Sequence, residues 1–435
     1  MKKFMFIVSF CLALPNLTYG FGLFSKDEKE PDYSVPQNTE VIMHFTNLPW
    51  RPGYLESLLF SSPDISQVFY YDANANIIGS WQNDVQLFND IFVEGKNKIA
   101  YLLTNNNILA DNEGFKKYNI NIEQSYDPEN PSETGYLEDK QIFYSLADVS
   151  YVGHPTYMLN FISDTQNYTV IMPYRVQSVC YDNTTEKFIC SVEDVDSSDN
   201  ETFSYVEVYF DETTNQFTLN EQLYRIPYDT NVYYDENNMS SYSFMAHNNK
   251  LYYVVGVDTK ERVEASDNPF PRTHGHLVLI TMDLEEKSAQ HKFLKENYKL
   301  DNYNSCFLTG SEHLPMVVRN NKLYVFTSDN EVWIIEDENN IKTLQMPYVF
   351  DGNLSTHSLG DRDYIDRKNF KNSNISVEDD GNIYIMNVYP NEVFRIHKLL
   401  ENSEYELFLE GEMPDLNKDA SMLGSFEIIN YSNLK

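Results

Sequence analysis

Two short patterns alternate along this chain, and their recurrence restricts the fold more than any other feature. The first is a short apolar strand, a polar turn and an aromatic strand. It reads Phe244-Met245-Ala246-His247, Asn248-Asn249, Lys250-Leu251-Tyr252-Tyr253-Val254, and again Met316-Val317-Val318-Arg319, Asn320-Asn321, Lys322-Leu323-Tyr324-Val325. Ile375 to Ile385 is a third copy, Ile91 to Tyr101 a looser one, and Cys180 to Cys190 has the same shape. The second pattern follows the first: an apolar strand, an acidic or Asn-rich turn, and another strand. Glu331 to Leu344, Leu277 to Phe293, Glu392 to Leu409, Val68 to Trp81, and Tyr205 onward through Thr213-Thr214-Asn215 all fit it. Asn, Asp and Gly accept the positive φ of tight hairpin turns, and aromatic and β-branched side chains suit a pleated surface. Helical periodicity is almost absent.

Two hairpins in succession form a four-stranded antiparallel unit, and such units recur at a spacing of ~40–50 residues. This predicts an all-β fold, a single β-propeller of about seven four-stranded blades, with six or eight as the alternatives. The expected blades are residues 40–82, 85–135, 138–175, 177–225, 240–294, 314–347 and 373–411, inside a propeller domain over 40–430. The tail Ser421 to Ile429 is expected to add a strand to the first blade and close the ring, which removes open sheet edges. The run Asp380-Gly381-Asn382-Ile383-Tyr384-Ile385 resembles turns in many extracellular propeller families, a likeness of six residues that implies no activity.

The N-terminus carries an export signal. Lys2 and Lys3 precede an apolar stretch from Phe4 to Leu14, and Thr18-Tyr19-Gly20 places small residues for cleavage after Gly20. The stretch is too short for a membrane span, which needs roughly 20 residues. Residues 1–20 are therefore expected to be a signal peptide, residues 21–39 a polar flexible leader, and the mature chain secreted or periplasmic without a membrane span. Loss of Cys11 with the signal leaves Cys180, Cys190 and Cys306. A hairpin centred on Thr185 would set Cys180 opposite Cys190, predicting a disulfide in an oxidising compartment, with Cys306 buried and inert.

Charge excludes some partners. Lys plus Arg total 32 against 66 Asp plus Glu, a net charge of −34, and removing residues 1–20 takes two Lys and no acid, giving −34 − 2 = −36. Nucleic acid and anionic membrane surfaces are poor partners for such a chain.

In a propeller the first and third turns of each blade share one face, and the remaining connections share the other. The first set is short here. The second set is expected to be long at Thr104 to Gly114, Glu193 to Phe203, Val257 to Gly275, Lys295 to Leu314 and Tyr348 to Lys371. Long loops on one face mark it as a binding surface, with Arg272, His274, His276, His357, Asp361, Asp363 and Asp366 as its candidate residues. Asp194, Asp196 and Asp199 lie in an acidic run with oxygen ligands for calcium, and His274 and His276, on one face of a strand, lack the third ligand that zinc needs. The run lacks the glycine and terminal acid of an EF-hand loop and reads better as solvated charge.

Propeller glycosidases need carboxylates at a channel mouth, and Glu40, Asp90 and Asp148 fall near the starts of the first three expected inner strands. No phosphate loop, nucleophile elbow, CxxC or HExxH occurs. The reading is an exported, non-catalytic, monomeric binding module for a protein or glycan at a cell surface or in the periplasm. A glycoside hydrolase or lyase is the alternative.

Overall fold

Ser66–Tyr71 shows why these strands stack as they do. All of its residues are buried. Successive side chains of a strand point to opposite faces, so Val68 and Tyr70 enter one apolar cluster while Phe69 and Tyr71 enter another. A sheet with two apolar faces needs a neighbour on each side. Repeated round a ring, that requirement gives a β-propeller, and the computed structural model is one with seven four-stranded antiparallel sheets. It describes residues 31–46, 66–83, 87–94, 98–103, 106–119, 131–137, 140–148, 157–164, 166–195, 201–226, 244–257, 274–299, 316–326, 331–337, 339–346, 375–378, 380–389, 393–416 and 422–429. No α-helix occurs among the described residues.

Blade 1 holds β1 (Val41–Thr46), β2 (Ser66–Tyr71) and β3 (Ile77–Asn83), and blade 2 holds β4 (Leu87–Glu94), β5 (Lys98–Leu103), β6 (Asn106–Ala110) and β7 (Phe115–Asn119). Blade 3 is β8 (Pro131–Leu137), β9 (Ile142–Asp148), β10 (Tyr157–Ile162) and β11 (Asn167–Met172). Blade 4 is β12 (Arg175–Asp182), β13 (Lys187–Val195), β14 (Glu201–Asp211) and β15 (Gln216–Arg225). Blade 5 is β16 (Phe244–His247), β17 (Lys250–Val257), β18 (His274–Asp283) and β19 (Ala289–Lys299). Blade 6 is β20 (Met316–Arg319), β21 (Lys322–Phe326), β22 (Glu331–Asp337) and β23 (Asn340–Gln345). Blade 7 is β24 (Ile375–Val377), β25 (Ile383–Tyr389), β26 (Val393–Leu399) and β27 (Tyr405–Glu412). The last strand, β28 (Met422–Ile428), returns to blade 1 as its innermost strand, in the order β28-β1-β2-β3. The expected closure by the tail is present.

Each of the seven seams between blades has its own core. Ile42, Val68, Tyr70 and Trp81 of blade 1 meet Ile99, Tyr101, Ile108 and Ala110 of blade 2. Across the ring, Cys180, Ile189 and Tyr205 of blade 4 meet Leu251, Tyr253, Val278 and Ile280 of blade 5. Hydrogen bonds near the ends of inner strands tie neighbours further. The Asn249 amide donates to Asp182 across 3.3 Å, and Ser376 Oγ meets Glu427 Oε2 at 3.0 Å.

Three expectations about organisation change. Pro131–Leu137 is the inner strand of blade 3 and not the end of blade 2. Thr104 to Gly114 is not a long loop, because β6 lies within it and pairs with β5 and β7. Residues 33–39 are not a flexible leader: Tyr33 and Val35 are fully buried in the seam between blades 1 and 2, and the Val35 amide donates to the Asp111 carbonyl at 2.9 Å.

The cysteine pair also changes. Cys180 lies opposite Ile189 and Cys190 opposite Val179, one residue out of the register a bridge requires. Their side chains point to opposite faces of the sheet, Cys180 toward blade 5 and Cys190 toward blade 3. Both are buried thiols and no disulfide joins them.

Candidate binding face

Every innermost strand starts at the same face of the ring, so topology sorts the connections into two sets. At the face where inner strands end, all links are tight: Tyr71 to Ile77, Ala110 to Phe115, Ile162 to Asn167, Asp182 to Lys187, His247 to Lys250, Arg319 to Lys322 and Asp337 to Asn340 among them. At the face where they start, the strand ends are separated by Thr46 to Ser66, Asn119 to Pro131, Arg225 to Phe244, Val257 to His274, Lys299 to Met316 and Gln345 to Ile375. The long connections all fall at this face as expected, although others there, such as Leu103 to Asn106 and Met172 to Arg175, are as short as the turns opposite.

The turn face is stiffened by one repeated device. Five blades end their third strand in an Asp whose carboxylate accepts amides from the turn that follows. Asp72 accepts from Asn74 and Asn76, Asp111 from Glu113 and Gly114, Asp211 from Thr213, Asp283 from Glu285 and Glu286, and Asp337 from Asn339 and Asn340. Ser163 plays the part in blade 3 and Asn402 in blade 7. Such side-chain-to-backbone bonds are the reason Asp and Asn favour turns. First-turn residues Asn248, Asn249, Asn320 and Asn321 have φ of 50, 61, 47 and 56°, the left-handed region of a two-residue hairpin turn. Part of the acid excess therefore closes turns. This recurring Asp was visible in the sequence as Tyr-Asp-Ala, Ala-Asp-Asn, Phe-Asp-Glu, Met-Asp-Leu and Glu-Asp-Glu at the ends of apolar runs.

The candidate carboxylates do not share a mouth. Glu40 precedes β1 at the turn face, and its backbone bonds to Tyr71 and Ile429. Asp90 lies within β4, the inner strand of blade 2. Asp148 ends β9, the second strand of blade 3, at the opposite face from Glu40. No acid–base pair across a single bond arises from positions at opposite ends of the ring.

Of the acidic run, Asp194 is paired with Thr202 in the β13–β14 ladder, so the expected loop begins later than Glu193. Asp196 and Asp199 lie outside the described residues, and no group of three metal-ligating side chains occurs among those described. His274 and His276 belong to β18 at its loop-face end, where the ladder bulges between Gly275 and Leu277. Arg272, His357, Asp361, Asp363, Asp366 and Cys306 lie outside the described residues.

Sequence reasoning missed the buried ionic network between blades 4 and 5. Glu207, with its side chain 3% exposed, receives Lys187 at 2.8 Å and Lys287 at 2.7 Å. Lys287 also reaches Tyr205 Oη at 3.0 Å and lies 3.9 Å from the centre of the Tyr224 ring. Burial pushes the Glu207 carboxyl up, but hydrogen bonds from the two lysines outweigh this and hold it below the usual range. Burial, then the neighbouring Glu207 charge, drives the Tyr205 phenol far up. These groups satisfy one another and leave no reactive member.

A cleft of about 310 Å³ on the turn-face rim between blades 2 and 3 is lined by Lys116, Lys117, Tyr118, Ser163, Asp164 and Gln166. Lys116 and Tyr118 both bond Asp164 and keep its carboxyl below the ordinary range.

No family model and no curated protein sequence matches the chain. Among solved structures, the β-propeller domain of the Trilobed protease from Pyrococcus furiosus is similar at 9% identity, a TM-score of 0.37, and coverage of 85% of this chain and 86% of that one. The WD40 domain of SCAP from fission yeast is similar at 8% identity, a TM-score of 0.36, and coverage of 89% and 90%. The tricorn protease is similar at 9% identity and a TM-score of 0.37 over 64% of this chain, which spans 28% of that longer one. The likeness is one of architecture.

Proposed function

We propose that this propeller is an exported, non-catalytic binding module that meets a protein or glycan ligand with the face where its inner strands begin. One observation carries the reading: the long connections, from Thr46–Ser66 to Gln345–Ile375, all join strand ends at that face, while the strand ends at the opposite face are joined by tight turns, most of them Asp-capped. A rigid scaffold with elaborated loops on one side is how propellers and other β folds present binding surfaces. The spread of Glu40, Asp90 and Asp148 along the ring supports binding over hydrolysis. The site residues of the reading are Arg272, His274, His276, His357, Asp361, Asp363 and Asp366. Its ligand is neutral, basic or bridged by cations, since the chain carries −34.

The test is a glycan array and a panel of purified surface proteins probed with the protein lacking residues 1–20. Retention of a defined ligand without product formation is expected. Cleavage of a retained glycan would replace this reading with the hydrolase or lyase.

A further inference from the structure

The two ends of the described chain meet at blade 1. Tyr33 inserts its ring between the blades, 4.9 Å from the Trp81 ring and 5.1 Å from that of Phe115. Its hydroxyl accepts a 2.6 Å hydrogen bond from Asn83 Nδ2, and its carbonyl lies 3.4 Å from Tyr70 Oη. Tyr70 Oη in turn sits 2.7 Å from Tyr101 Oη of blade 2 and accepts from Trp81 Nε1 at 2.9 Å. Val35 bonds the Asp111 turn of blade 2, and Pro36 fills the space over Gly79, where a Cβ would collide with its ring. Thr39 Oγ1 closes a turn on the Pro36 carbonyl at 2.6 Å, with Asn38 at φ 67°. The next residue, Glu40, bonds both sides at once: its amide donates to Tyr71 at 2.7 Å, and its carbonyl accepts from Ile429 at 2.8 Å. Ile429 directly follows β28 and belongs to the same buried cluster as Tyr33 and Val35.

We propose that Tyr33–Pro36 is a strap that locks ring closure, so that seating Tyr33 in the seam between blades 1 and 2 holds the C-terminal strand β28 in blade 1. The physical link is short. From Pro36 to Glu40 the chain is a hydrogen-bonded turn, and the Glu40 carbonyl accepts from Ile429, the residue directly after β28. Withdrawal of Tyr33 removes apolar cover from Trp81 and a member from the buried cluster that holds Ile429, and frees the start of β1 to move away from β28. An inner strand supplied from the far end of the chain has no covalent neighbour within its blade, so its retention depends on such contacts. Any processing that keeps the ring closed must therefore cut before Tyr33.

Hydrogen exchange of the full mature chain tests this. In Tyr33→Ala, amides of 422–429 and 41–46 are expected to exchange roughly 10-fold faster or more, with Trp81 emission shifted to the red and blade 4 unchanged. Tyr33→Phe keeps the ring but loses the bond to Asn83, and a smaller change at the same amides is expected. If Tyr33→Ala does not fold, Tyr33→Phe and Val35→Ser carry the test. Unchanged exchange at 422–429, or an acceleration spread evenly over all blades, overturns the proposal.

Discussion

His44 is the residue with the sharpest individual consequence. It is fully buried in β1, and neither ring nitrogen has a hydrogen-bond partner among the described residues. Burial alone lowers its pKa from 6.5 to about 3. The unfolded chain therefore takes up a proton that the folded chain refuses, and stability present above pH 6.5 is lost as pH falls toward 3. At ~1.4 kcal/mol per pH unit, this one residue removes about 2 kcal/mol between pH 6.5 and 5. Urea unfolding across that range should show a flatter pH dependence in His44→Leu than in the parent protein. An identical slope would mean that the ring titrates alike in the native and unfolded chains. Glu207 has the same sign, in a more acidic range. Its carboxyl is held below the usual range, so its contribution is lost only as pH falls through the lowered folded value. Glu207→Gln strands Lys187 and Lys287 beside a neutral amide, and a loss of about 2 kcal/mol in denaturant titration is expected. That figure is below the ~3–5 kcal/mol of a fully buried pair because both ammonium groups reach water. Cys180 and Cys190 give a simpler check: alkylation of the unfolded chain before reduction should label both, and protection of the pair would contradict the register found here.

At the scale of strands and turns, most of the architecture was legible and the failures have specific causes. The hairpins showed because their turns use Asn and Asp for conformational reasons, as at Asn248-Asn249 and Asn320-Asn321. Strands showed as apolar runs without clean alternation, since both faces of each blade are buried, as in Ser66–Tyr71. Blade 3 was blurred because its first strand starts at Pro131, carries a bulge before Glu133 and contains Gly135 where a larger residue would collide with the Tyr144 ring. Gly135→Ala should cost roughly 1–3 kcal/mol by overpacking, read as a lowered melting temperature; a neutral effect would mean that Tyr144 swings away without loss. The cysteine pair failed by one residue. A turn of Asn183 to Glu186, with Glu186 at φ 54°, pairs Asp182 with Lys187, and sequence cannot tell this from a turn centred on Thr185. Tyr33 and Val35 were hidden because two apolar residues inside a polar leader make no pattern. The difference in connection length between the two faces was legible, while the ends of the inner strands were not, so Glu40, Asp90 and Asp148 fall at different levels of the ring.

From Tyr33 onward the described residues form a propeller closed at blade 1 by β28, with tight turns at one face and the long connections at the other, in a chain of net charge −34. Self-repulsion at that charge should be relieved by salt, with the melting temperature rising modestly as the Debye length shortens to ~10 Å at 0.1 M. Calcium chloride and sodium chloride of equal ionic strength should stabilise equally. A far larger effect of calcium would show that the acids around Asp194, Asp196 and Asp199 form a site. The assignment of binding to one face is tested most directly by comparing two variants on the same glycan array and surface-protein panel. In one, residues 347–374 are replaced by a Gly-Ser linker; in the other, turn-face charges are reversed by Glu285→Lys and Glu286→Lys. Both blades remain intact by design, since the linker joins β23 to β24 and Asp283 caps its turn through backbone amides. The account predicts that ligand retention falls at least ~10-fold in the linker variant, equivalent to ~1.4 kcal/mol, and stays at the parent level in the turn-face variant. Retention kept by the linker variant and lost by the turn-face variant would contradict it.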